Sequence, residues 1–121
     1  MTTSTDRRQG VNSSAAIKVA CRAATTANIT LSGEQTIDDI AIVADDRVLV
    51  KNQTDASENG IYDADTSAWS RALDWDGNID IASGTQVLVV SGTVAAGKLY
   101  YISTTGDLVV GTTNITITAV P

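Results

Sequence analysis

From Asn28 onward, turn signals recur so closely that the stretches between them have room only for short strands. The pairs Ser32-Gly33, Asp38-Asp39, Asp45-Asp46, Asn59-Gly60, Ser91-Gly92 and Gly106-Asp107 punctuate apolar runs at 29–31, 35–37, 40–43, 47–50, 61–62, 69–71, 85–90, 98–102, 108–110 and 115–118. Val and Ile outnumber Leu, Thr is abundant, and no long Ala/Leu/Glu/Lys stretch offers a helical core. Strands this short hold only by closing on one another. The order strand, tight turn, strand therefore predicts an all-β fold: a small antiparallel barrel or roll of about seven to nine short strands, with a sandwich as the close competitor. A chain of 121 residues fits one such domain.

The N-terminus reads differently. Residues 1–16 are polar and small, which predicts a flexible arm ahead of a single compact domain at 17–121. Residues 15–24 suit either a short helix capped by Ser13 or Ser14 or an edge strand through Ile17, Lys18 and Val19. Charge divides along the same line. Arg7, Arg8, Lys18 and Arg22 against Asp6 leave the first 22 residues basic, whereas four cations face thirteen acids in the remainder. That split predicts an assembly arm, Arg7, Arg8, Lys18 and Arg22, docking on an acidic neighbour. A net charge of -6 argues against nucleic acid as a partner, and no apolar run reaches the ~20 residues of a membrane helix. The Asn-x-Ser/Thr triplets carry no weight in a chain so rich in Thr.

The residue types exclude several chemistries. No histidine is present, so histidine-based acid/base and zinc sites are excluded. Cys21, the single cysteine, has no internal disulfide partner and reads as a half-buried or exposed thiol without special function. Carboxylates cluster in turns, so the chain is read as a non-enzyme without a cofactor. The loop Asp74-Trp-Asp-Gly-Asn-Ile-Asp80 places Asp74, Asp76, Asn78 and Asp80 at alternate positions, as in the first half of a calcium loop. Gly77 and Thr85 depart from that pattern, and a surface turn held by Asx hydrogen bonds is the stronger reading. In the 47–51 strand, alternation puts Val48 and Val50 toward the core and Arg47, Leu49 and Lys51 on a charged opposite face. Gly60 is expected to supply a positive backbone angle in a turn, and Tyr62 and Trp69 to pack across the following hairpin. Exposed Trp69, Trp75, Tyr100 and Tyr101 would instead favour a glycan- or protein-binding site.

Taken in order, Cys21-Arg-Ala-Ala-Thr-Thr-Ala-Asn-Ile-Thr-Leu-Ser-Gly33, Gln35-Thr-Ile-Asp38, Asp46-Arg-Val-Leu-Val-Lys-Asn-Gln-Thr54, Asn59-Gly-Ile-Tyr62 and Trp69-Ser-Arg-Ala72 with Asp74 closely resemble a small domain of tailed-bacteriophage and prophage virion proteins, the tail fibre or phage tail proteins. The resemblance covers residues 17–118. Asp39 and Asp45 stand where that family usually has Gly, at turns where Asp also serves. The resemblance implies that Asp46, Arg47, Lys51, Asn59, Gly60, Tyr62, Trp69 and Arg71 are structural marks. It implies a non-enzymatic virion part, made in the bacterial host cytoplasm: a tail fibre, tail accessory or adaptor module, alternatively a capsid decoration protein or a host-surface binding module. Expected partners are further copies of itself, with a trimer favoured, other virion proteins, and a host-surface receptor in the last case. Many relatives are segments of longer fibres, whereas this module is expected to stand almost alone.

Overall fold

Strands of two to five residues need neighbours, and the described residues, 15–121 of the computed structural model, supply them in two four-stranded sheets and a hairpin. The outer sheet has the order β1 (Ile17–Cys21), β8 (Gln86–Val89), β9 (Leu99–Ile102), β10 (Ile117–Ala119). The central sheet has the order β2 (Ala23–Ala24), β5 (Arg47–Val50), β6 (Gly60–Asp63), β7 (Ser70–Arg71). The hairpin pairs β3 (Thr36–Ile37) with β4 (Ile40–Ala41) across Asp38-Asp39.

The all-β expectation holds, but the antiparallel barrel does not. β1 runs parallel to β8 and β2 parallel to β5, while the other pairings are antiparallel. Within residues 15–24 the chain forms β1 and β2 rather than a helix, and these strands weld the two sheets along one side. Val90 and Ser91 donate their amides to the carbonyls of Cys21 and Arg22, while the amides of Arg22 and Thr25 reach Arg47 and Leu49 in the central sheet. On the other side β10 and β7 do not pair, so no barrel closes. The buried Asn59 ties the β5–β6 connection to the segment before β10: Nδ2 donates to the Ile115 carbonyl at 2.8 Å and Oδ1 accepts the Gln53 amide at 3.0 Å. The caps at Ser13 and Ser14 lie outside the described residues, as does most of the expected arm.

Two expected strands are absent. Residues 29–31 are held by a side chain, with the Gln53 amide group accepting from Ile29 N and donating to Ile29 O, both at 3.0 Å. Residues 108–110 enter a turn in which the Val109 carbonyl receives the amides of Thr112 and Thr113. Before Asn59 the chain makes a 3-10 turn, Ala56–Glu58, capped by the Asp55 side chain on Ser57 N.

The central sheet has apolar residues packed on both faces. Val48 and Val50 join Ile37, Ile42, Tyr62, Ala64 and Trp69 beneath the β3–β4 hairpin. Leu49 and Ile61 face the outer sheet and meet Trp75, Val87, Val89, Tyr100, Ile102 and Ile115. The alternation expected for residues 47–51 is therefore right in parity and wrong in consequence. The face carrying Leu49 is not solvated, because a second sheet covers it, and Val48, Leu49 and Val50 are all fully buried.

Candidate functional surface

The residues marked by the sequence spend their polar atoms inside the fold. Arg47 grips Asp74 with both guanidinium nitrogens, at 2.8 and 2.6 Å, and its Nε donates to the Val19 carbonyl. Asp46 Oδ2 accepts from Val43 N and from Arg22, which anchors one member of the expected basic arm to the body. Arg71 donates to the carbonyls of Asn59 and Ser57 and stacks 5.1 Å from the centre of the Tyr62 ring. Tyr62 and Trp69 pack in one cluster as expected, their polar atoms donating to Glu58 O and Gly33 O. Lys51 lies 5.4 Å over the Tyr100 ring, and burial holds its pKa below the usual lysine value.

Gly60 sits at the mouth of β6 rather than in a hairpin turn. Its φ is +155°, and a Cβ there would stand 2.7 Å from Arg71 Nη1 and 2.8 Å from Trp75 Nε1. The glycine thus admits the indole and the guanidinium, and the buried Trp75 Nε1 has no hydrogen-bond partner.

Three expectations need correction. Cys21 is fully buried, and burial pushes its thiol up to about 12, against the opposing pull of Arg47. Trp69, Trp75 and Tyr100 lie in the core, so three of the four aromatics offered for a glycan site are inaccessible; only Tyr101 is partly exposed. Lys18, assigned to the arm, points inward. It is 4% exposed, its Nζ has no hydrogen-bond partner, and burial lowers its pKa despite Asp74 and Asp80 nearby. Arg7 and Arg8 lie outside the described residues.

Three polar side chains of the acidic loop, Asp74, Asn78 and Asp80, are committed to the fold. Asp74 belongs to Arg47; burial opposes its ionisation, but the hydrogen bonds and charge of Arg47 prevail and hold its pKa below the usual carboxylate value. Asp80 Oδ2 accepts the amides of Asp76 and Gly77, and Asn78 Oδ1 accepts the Val110 amide. Among the described residues no three acidic or thiol side chains converge as a metal site. Beside the loop, a cleft of about 400 Å³ between residues 78–83 and 106–109 contains one carboxylate, Asp107.

A latch between the hairpin and the loop before β9 left no direct sign in the sequence. Asp38 accepts the amides of Val94 and Ala95, Thr93 Oγ1 donates to Asp39, and Gly92 leaves room for the Asp38 carboxylate. Its only readable signal was the pair Asp38-Asp39 itself, both at positive φ, which identifies a tight two-residue turn.

The chain matches no family model, no curated protein and no solved structure.

The remaining prominent surface is apolar. In the outer sheet, Val87, Val89, Tyr100 and Ile102 face the core, so alternation turns Leu88, Leu99 and Tyr101 outward. Ile17 and Val19 on β1 and Val90 after β8 are more than half exposed.

Proposed function

We propose that this protein is a non-enzymatic structural part of a bacteriophage virion, a tail fibre, tail accessory or adaptor module that works by self-assembly. The observation that carries this reading is the use of the shared polar residues. Asp46, Arg47, Asn59 and Arg71 all bond to backbone groups within the described residues, and Asp46 and Arg47 also pair with Arg22 and Asp74. A block whose polar atoms are consumed by its own fold marks a scaffold, not a reaction or ligand site. The blocks that resemble phage tail proteins are these same residues. The glycan-binding alternative loses its main support with the burial of Trp69, Trp75 and Tyr100.

Purified phage particles from a host that encodes the chain, analysed by mass spectrometry and immunogold microscopy, test the reading. Label on the tail is expected. Label spread over the capsid replaces the tail assignment with decoration, and absence of the chain from particles overturns the structural reading.

A further inference from the structure

β1 is inverted for a molecule that works alone. Its alternation buries an ammonium and turns two β-branched side chains outward: Lys18 is 4% exposed, Ile17 65% and Val19 72%. Water alone favours the opposite arrangement, since apolar burial stabilises and an unpartnered buried cation costs. The arrangement becomes favourable when the outward face is itself covered.

That face is continuous. The register places Lys18 beside Val87 and Leu88 beside Leu99, and the Val120 amide bonds to Leu99 O. Val19, Leu88, Leu99 and Val120 therefore form a row across the sheet, flanked by Ile17, Tyr101 and Val90. Ile17, Val19, Leu88, Val90 and Val120, between 40% and 72% exposed, present on the order of 500 Å² together, against the roughly 800 Å² each partner contributes to a standard interface. Leu99 and Tyr101 extend the patch toward that size.

Charge selects the occupant. Of the fourteen acidic residues, all but Asp6 and Asp107 lie in residues 34–80, so β1, β8, β9 and β10 carry no carboxylate. Copies with a net charge of -6 repel wherever their acidic halves approach, and this face lets them meet without opposing carboxylates. Sheet faces pack about 10 Å apart by interdigitating such side chains.

We infer that the outward face of the outer sheet is the surface on which a second copy of this chain packs, an inference that rests on the self-assembly reading and gives it a place. The test is sedimentation velocity of the full chain over a concentration series, beside Val19→Lys, Leu88→Lys and, outside the sheet at the acidic loop, Leu73→Lys and Ile79→Lys. Leu73 and Ile79 are 84% and 92% exposed, so they control for apolar exposure as such. The expected result is an oligomer for the parent and both loop variants, and a monomer with unchanged circular dichroism for both face variants. Hydroxyl-radical footprinting of the unsubstituted chain reads the same face without risk to folding: labelling of Leu88, Leu99 and Tyr101 falls at least threefold from dilute to concentrated protein, while that of Leu73 and Ile79 stays constant. A parent that remains monomeric, an oligomer that survives both face substitutions, or footprints that ignore concentration overturn the inference. Particles that contain the chain while the purified chain stays monomeric retire this interface and leave the virion reading standing; absence from particles does the reverse.

Discussion

Gly60 shows how one missing side chain organises its surroundings. A methyl group at this position meets the indole of the fully buried Trp75 before it meets solvent, and Trp75 has no room to retreat. Gly60→Ala is expected to cost about 2–4 kcal/mol, read as a lower urea midpoint at unchanged slope. Lys18 makes the opposite case. Its buried ammonium lacks a hydrogen bond, and Met preserves the stem while removing the charge, so Lys18→Met is expected to stabilise by about 1–2 kcal/mol. The Cys21 thiol gives a pH signature. Its reference pKa is 9.0 and its folded value about 12. Below the reference value both states hold the proton and stability is unaffected. Between the two values the unfolded chain releases a proton that the folded chain keeps, so stability falls as pH rises, by up to about 1.4 kcal/mol per unit. Lys18 and Lys51, whose folded pKa values lie below the lysine reference of 10.5, push the other way below that reference. The decisive measurement is the difference between the parent and Cys21→Ala unfolding curves at pH 8 through 11, in which the parent alone shows the added alkaline loss. Asp39 and Asp45 were legible at this scale: turn chemistry named their positions, and both adopt positive φ, at 67° and 74°.

At the scale of elements, legibility ended where partners lie far apart in sequence. Run length and alternation revealed β5 and, at 85–90, the strand that is β8, yet no local pattern announces that the sheet containing β8 covers the second face of β5. β1 is ambiguous in sequence for the same reason: residues 15–24 suit a helix or an edge strand alike, and only the pairing with the remote β8 makes a strand of it and turns Ile17 and Val19 outward. The stretches at 29–31 and 108–110 had strand composition, but Gln53 and the Val109 turn satisfied their backbone more locally. Asn59 illustrates what a turn signal conceals. As half of Asn-Gly it reads as a reversal, whereas in the fold its amide joins Gln53 N to Ile115 O, two groups 62 residues apart in sequence. Asn59→Ala leaves both backbone groups unsatisfied in a buried site and is expected to cost about 2–4 kcal/mol. Hydrogen exchange at the Gln53 amide should quicken more than exchange in β5, which identifies the break as local to this bridge.

Seen whole, the molecule is electrically lopsided. Residues 34–80 hold twelve of the fourteen acids, and the outer-sheet strands hold none. If copies meet on the uncharged face, their acidic halves still repel at a distance, and screening relieves that cost. Raising sodium chloride from 20 to 500 mM is therefore expected to tighten self-association several-fold, the reverse of the response of a salt-bridged interface; sedimentation at the two salt concentrations checks it. The strand that welds the sheets also governs how the fold is reached. Thr85 bonds to the Ala15 carbonyl across 70 residues, and β1 has no strand neighbour until β8 has been made. In a growing chain the first strand joins the outer sheet only after the central sheet and hairpin have been made. Closure then depends on the slow meeting of distant segments, which places this small domain among the high-contact-order folders of the millisecond-to-second range despite its short turns.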